Sequence, residues 1–459
     1  MLKLSPVKQE LSCSHKQRVL NVVGAGLSGC ECALSLARRG QKLRLFEMRP
    51  HKRSEAHKTD LPAELVCSNS FKSEREDSAA GQLKRELKTM GSTLFEYLDL
   101  ARVPAGGALA VDRKQFSLLV DAALKAEPNI EIVHEEMCEL DPDQDWIICA
   151  GPLASEALLN SLQKVIGSEY LNFYDAAAPI VEAESLNMDK LFAESRHGKG
   201  GADYLNAPFS KDEYDRFYDE LLCAEKTLLK EFEKGELFSA CQPLEEIART
   251  GRDALRYGAL KPVGLTDPQT GRRPWAVVQL RAENAERSAY NLVGFQTNLK
   301  FSEQKRIFSM IPGLEKAEFS RYGVMHKNSF INAPKLLDES FALIDKPWLR
   351  FAGQISGTEG YTEAIASGLY AALNYLCYVD NREAFVLPRE TVFGALLHYA
   401  SSQETQDYQP MHVNFGIMPP FEQRIKNKAQ RYQAYVDRAQ AALECYLMSR
   451  KDLFVAEEL

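Results

Sequence analysis

The stretch Arg18–Pro50 limits what this chain can become more than any other. An apolar run (Val19, Leu20, Val22, Val23) has the length of a buried parallel strand. The turn Gly24-Ala25-Gly26-Leu27-Ser28-Gly29 follows, and Leu27, Ala33, Leu34, Leu36 and Ala37 then suit a helix packed on a sheet. Gly40 stands where that helix ends, and Gln41–Phe46 reads as a second strand finishing at Glu47. The first glycine allows the tight turn, the second lets backbone approach a pyrophosphate, and the third lets helix and strand pack closely. Glu47 is placed to accept hydrogen bonds from a ribose. A glycine-rich turn of an ordinary α/β protein would leave Glu47 unexplained, so the stretch reads as a dinucleotide-binding unit.

Composition narrows the class. A chain of 459 residues allows two or three domains, and no run of about eighteen apolar residues announces a membrane span. Residues 1–17 are polar, without the apolar core of a secretory signal, and read as a loose extension. The ten cysteines form no CxxC pair and the eight histidines no HxH or HxxxH spacing. That pattern predicts a reducing, cytoplasmic setting, mostly buried thiols and no metal site. A net charge of −8 argues against nonspecific coating of nucleic acid. Locally, Arg249, Arg252, Arg256, Lys261, Arg272 and Arg273 stand against only Asp253 and Asp267, which is either a solvated face or a contact surface for RNA.

The sheet is expected to draw on both ends of the chain. Asp145–Cys149 reads as a strand that ends at Ala150-Gly151-Pro152 and returns to the cofactor. Much later, Phe351-Ala352-Gly353-Gln354 enters a second glycine-rich turn with Gly357, Gly360 and Tyr361, followed by a small-residue helix over 362–376. Such a turn suits close approach to a second part of a flat cofactor. The expected architecture is α/β: a FAD-binding, Rossmann-like, two-dinucleotide-fold flavoprotein with an inserted α+β domain. The extension covers 1–17, the first cofactor part 18–180, the insertion 181–324, and the second cofactor part with the tail 325–459.

Two thiols stand in chemically suggestive surroundings. Cys67 is flanked by Ser68, Asn69 and Ser70, a small-polar run unsuited to a core strand. Cys241 precedes Pro243 and two acids that open a helix, where a thiol pKa is lowered. Read locally, Cys241 is either a structural cysteine or a nucleophile.

The motifs VVGAGLSGCE, LRLFEMRP, AELVCSNSFKS, ARVPAGGALAVDR, LKPVGLTDPQTGRRPWAVVQLR, NLVGFQTNLKFSEQKRIF and FAGQISGTEGYTEAIASG run in order through nearly the whole chain. Together they resemble the folate- and FAD-dependent tRNA uracil-5-methyltransferase family (TrmFO). The extension falls outside the resemblance, and Phe71-Lys72, the SACQPLEE stretch and Ala207 depart from the family pattern. The resemblance implies C5 methylation of the T-loop uridine at position 54 of tRNA. The carbon comes from 5,10-methylenetetrahydrofolate, reduced FAD is carrier and reductant, and NADH or NADPH recharges the flavin. It implies Cys241 as the nucleophile at uracil C6 and Cys67 as the base that removes the C5 proton or as a shield for the flavin. It also implies FAD contacts at Gly24, Ala25, Gly26, Leu27, Ser28, Gly29, Glu47, Gly353, Gly357, Gly360 and Tyr361. The tRNA T-arm is the expected partner, with Arg249, Arg252, Arg256, Arg272 and Arg273 against RNA. His326 and Asn332 could contact cofactor or folate, or satisfy buried backbone. The alternatives are a plain FAD-dependent NAD(P)H oxidase or reductase, a non-catalytic flavin- and RNA-binding module acting as a tRNA chaperone, and a flavoprotein that modifies another uridine.

Overall fold

The computed structural model describes residues 4–6, 18–54, 56–66, 68–167, 171–198, 201, 203–226, 242–282, 287, 289–405, 408, 410–423 and 425–456. Along the first part run β1 (Leu20–Val23), α1 (Leu27–Ala37), β2 (Leu43–Phe46), β3 (Ser70–Ser73), α2 (Ala79–Thr89), α3 (Leu94–Leu100), β4 (Ala108–Val111), β5 (Ile130–Val133) and β6 (Asp145–Ile148). The middle carries β7 (Ile180–Glu182), β8 (Phe192–Ala193), β9 (Tyr204–Phe209), β10 (Ala276–Ala282), β11 (Ala289–Leu292), α4 (Phe301–Phe308) and β12 (Phe319–Arg321). After it come β13 (Ala342–Leu343), β14 (Lys346–Phe351), α5 (Tyr361–Val379) and α6 (Val392–Ser401).

Two sheets organise these elements. The first has the order β13-β14-β6-β1-β2-β5, parallel from β14 to β5 with β13 antiparallel at its edge. Strand β1 is interior, with neighbours on both sides and every residue buried, which is why Leu20, Val22 and Val23 do not alternate with exposed polar residues; Asn21 is the one polar side chain in it. Strand β14 pairs with β6, so the two chain ends share one sheet. The second sheet, β8-β9-β10-β11-β7-β12, is antiparallel throughout and has its own core, which includes Phe217, Leu244, Val278, Phe295 and Ile307. Its connection to the first is the antiparallel pair Leu171–Ala177 with Val324–Ile331. The whole is an α/β, Rossmann-like fold carrying an inserted α+β unit.

One local expectation changes and two gain detail. The extension is not wholly loose: Leu4–Pro6 pairs antiparallel with Phe454–Ala456. The run around Cys67 ends in β3, a strand at the edge of a small three-stranded sheet, where Phe71 alone is buried. Of the seven described cysteines, Cys30, Cys32, Cys149 and Cys377 are buried, while Cys138, Cys223 and Cys445 are exposed. Among the described residues no helix is long and apolar enough to cross a membrane.

Buried carboxylates tie the helices around the first sheet. Glu31 of α1 accepts from Ser92 Oγ, Thr93 N and Leu94 N at 2.9, 2.9 and 2.8 Å, which holds the start of α3. Glu86 of α2 accepts from Val392 N at 2.8 Å and Phe393 N at 3.0 Å at the start of α6. Burial raises the Glu86 carboxyl to about 7 against the pull of those amides. The native state therefore binds this proton more tightly than the unfolded chain. The group's contribution to stability is full below the ordinary glutamate range and is lost as pH rises through about 7. Urea unfolding of Glu86→Gln, which keeps one acceptor but cannot ionise, should show less decline in stability between about pH 4.5 and pH 7 than wild type.

Candidate functional site

A cleft of about 1170 Å³, part of it open to solvent, lies at the carboxyl ends of β1, β2 and β6. Its wall includes Gly24, Gly26, Leu27, Ser28 and Glu47 from the first part of the chain, and Gly353, Gln354, Gly360, Tyr361 and Ala364 from the last. Three features of α1 prepare it for an anion. Gly26 caps the helix without a side-chain bond, and a Cβ built there meets no atom within 4 Å. The amides of Leu27, Ser28 and Gly29 begin the helix, where no preceding turn supplies acceptors. Ser28 Oγ is buried and has no hydrogen-bond partner among the described residues. An open cradle, free amides at a helix N-terminus and an orphaned hydroxyl fit a pyrophosphate, so these residues fit FAD.

The other expected contacts divide by what they touch. Gly24 adopts φ +100°, and a Cβ there would lie 2.7 Å from Ala150 Cα. Gly29 lies under the turn, where a Cβ would overlap the Gly24 carbonyl oxygen. Ala25 N donates to Glu47 Oε2 at 3.0 Å. Gly353 N donates to Ser367 Oγ at 2.6 Å, and a Cβ on Gly353 would press on Ser28. Gly357 does not line the cleft, because the space beside it is filled by the Tyr408 hydroxyl. Gly360, at φ +117°, precedes α5 and lines the cleft beside Tyr361.

Glu47 has a partner that local reading missed. Arg49 donates its Nε to Glu47 Oε1 at 2.9 Å, its Nη2 to Oε2 at 3.0 Å and its backbone N to Oε1 at 3.1 Å. Burial pushes the Glu47 carboxyl upward, but these bonds outweigh it and hold the group below the usual range. With Ala25 N they use all four acceptor positions of the carboxylate, so a ribose hydroxyl would share an oxygen already bonded. The i, i+2 spacing at the strand end was the available signal.

Cys67 and Cys241 both lie outside the described residues. The neighbours of each are described. Ser68 N donates to the Tyr361 hydroxyl at 3.1 Å, and the Tyr361 ring packs on Phe71 with centroids 5.4 Å apart. Arg281 of β10 donates to Ser68 Oγ at 2.7 Å and Asn69 Oδ1 at 3.1 Å, while Asn69 Nδ2 donates to Ala282 O at 2.7 Å. The loop after Cys67 is thus held by the flavin cleft on one side and the inserted sheet on the other. No local pattern could have announced Arg281, because its partners lie more than two hundred positions earlier. Beyond Cys241, the expected helix is Leu244–Arg249. Glu245 in its first turn accepts from Asn298 N and Thr297 Oγ1, both at 2.8 Å, and Glu246 pairs with Lys226. The side chain of His326 is outside the described set, and Asn332 precedes the short helix Ala333–Leu336.

The basic segment separates into two groups. Arg252 bridges Asp215 and Asp219 over the Tyr218 ring, and Arg256 lies 3.8 Å from the Trp275 ring centroid while pairing with Asp253. Arg249, Arg272 and Arg273 are exposed and make no ion pair among the described residues.

The family model described as Glucose inhibited division protein A matches residues 19–383. Methylenetetrahydrofolate--tRNA-(uracil-5-)-methyltransferase TrmFO of Acetivibrio thermocellus is 49% identical over 428 residues, 93% of this chain and 98% of that protein. The TrmFO proteins of Pelotomaculum thermopropionicum and Halalkalibacterium halodurans are 50% and 47% identical, again over 93% of this chain and 98% of theirs. The chain belongs to the TrmFO family. Aquifex aeolicus GidA in its form I crystal shares the fold with a TM-score of 0.68 at 15% identity, over 95% of this chain and 77% of that one.

Within this TrmFO family member the glycines of the cleft should respond differently to one added methyl. Gly26→Ala should leave the flavin-free fold within about 1 kcal/mol of wild type and weaken FAD binding at least roughly tenfold. Gly29→Ala should cost the flavin-free fold about 2–3 kcal/mol through overpacking. Flavin titration and urea unfolding of both apoproteins separate the two effects.

Proposed function

We propose that this chain methylates C5 of a tRNA uridine in the T-arm, taking the carbon from 5,10-methylenetetrahydrofolate. The observation that carries the reading is the double tether on Ser68 and Asn69, which connects the residues after Cys67 both to Tyr361 in the cleft and to β10 of the insertion. When bound, FAD supplies carriage of the one-carbon unit and the electrons that reduce it to methyl, and NADH or NADPH restores those electrons.

The protein's own task is to make uracil C5 nucleophilic. Cys241 adds as thiolate to C6, and the electron pair of the C5–C6 double bond moves to C5. That carbon then takes the one-carbon unit. Cys67 removes the C5 proton, and elimination of Cys241 restores the double bond. The base must leave its stack for both thiols to reach it. Arg249, Arg272 and Arg273 contact phosphates, whereas Arg252 and Arg256 are committed to acids and rings within the insertion.

Tritium release from tRNA labelled at uracil C5 tests the chemistry. Release and methyl transfer that need folate in wild type, and are lost in both Cys241→Ser and Cys67→Ser, are the expected result. NADPH oxidation without release would instead favour a plain flavin oxidase. Each of Arg249→Ala, Arg272→Ala and Arg273→Ala should lower the salt slope of tRNA binding by about one. Arg256→Ala should chiefly lower the stability of the insertion, read as earlier unfolding.

A further inference from the structure

The insertion carries an aromatic stack that the cofactor site does not use. Tyr322 lies between two rings: Phe319 at 5.2 Å and 18°, and Phe301 at 5.2 Å and 20°. The inner end continues through Phe308 to Phe295 in the core. The outer end, Phe301, is 57% exposed. Lys305, one turn further along α4 and so on the same face, is exposed and has no ion pair among the described residues. A flat ring open to solvent beside a free cation offers a surface for a base and for its phosphate.

The position of the stack ties it to the site. Both described ends of the segment that carries Cys241 are fastened to the loop leading into Phe301. Lys226 bridges to Leu299, and Leu244 N donates to Gln296 O at 2.7 Å. Across the inserted sheet, Arg281, Asn291, Ile180 and Arg321 stand in one row over β10, β11, β7 and β12. Three strand spacings put the backbone of Arg321, which precedes Tyr322, about 14 Å from the backbone of Arg281, whose side chain holds Ser68 and Asn69. A few nucleotides span that distance.

We propose that the Phe301–Tyr322 stack is a platform for an unpaired base of the tRNA substrate that flanks the methylated uridine, with Lys305 on its phosphate. The proposal rests on the tRNA reading above. The preformed ladder of rings lowers the ordering cost of adding one more flat group.

Binding of unmodified tRNA to the FAD-loaded protein tests it, with Phe301→Ala and Phe301→Trp beside wild type and FAD content as the folding control. Phe301→Ala should weaken tRNA binding about tenfold and raise KM similarly with kcat within about twofold. Phe301→Trp should keep wild-type affinity, and tRNA should quench the emission of the added indole. Wild-type tRNA affinity in Phe301→Ala, with an unquenched indole in Phe301→Trp, overturns the platform while leaving the methyltransferase reading intact. Failure of wild type to bind or methylate tRNA removes the reading beneath it. A change in sedimentation of Phe301→Ala without a change in tRNA affinity would make the ring a contact between copies of the chain and also overturn the proposal.

Discussion

Close contact between two helices from opposite ends of the chain makes the cofactor site possible. A Cβ on Gly368 of α5 would overlap the Ser28 carbonyl oxygen of α1, and one on Gly353 would come within 3.0 Å of Ser28 Cβ. On the other side of α1, a Cβ on Gly29 would overlap the Gly24 carbonyl oxygen. Helix α1 is therefore clamped between the β1 turn and α5 with no space for a methyl group on either side. The same approach brings Gly353, Gly360 and Tyr361 to the cleft that begins at Gly26. The site is a consequence of backbone packing, which explains why Gly24, Gly29, Gly353 and Gly368 have no room for a side chain.

Around that clamp, carboxylates do the work that backbone cannot. Glu31 and Glu86 are buried and each accepts from two amides at the start of another helix, while buried Glu245 accepts from Asn298 N and Thr297 Oγ1 in the loop before α4. A helix N-terminus buried without acceptors is costly, and a carboxylate from a neighbouring element meets that need while fixing the two elements in register. Desolvation raises all three carboxyls even so. These acids hold packing geometry, which distinguishes them from Glu47, whose depressed carboxyl beside Arg49 faces the cleft.

The parts of this arrangement legible in the sequence are those set by neighbours along the chain. The β1–α1–β2 unit was readable because strand, glycines, helix and acid follow one another, and β14 with its glycine turn was readable for the same reason. Gly357 shows the limit of that reading. Its missing side chain resembles the others in sequence, yet it makes room for Tyr408 rather than for a ligand. Arg49 was visible beside Glu47, but its saturation of the carboxylate depends on burial. Arg281 and the Phe301 stack depend on strand order in the insertion, which residue spacing does not encode.

The insertion has a mechanical reason to be attached where it is. The proposed chemistry, with one thiol from each part of the chain, requires the two parts to keep a fixed separation. The connecting pair Leu171–Ala177 and Val324–Ile331 alone is two-stranded and contains a register shift, a poor guarantee of position. The hydrogen bonds of Arg281 and Ala282 to Ser68 and Asn69 add a second attachment at the far end of β10. Two separated attachments resist rotation where one allows it. Because the second is made of directional bonds to the residues directly after Cys67, motion of the insertion and placement of that loop are coupled. Under the proposed function, tRNA held by the insertion would act on the cleft through that coupling.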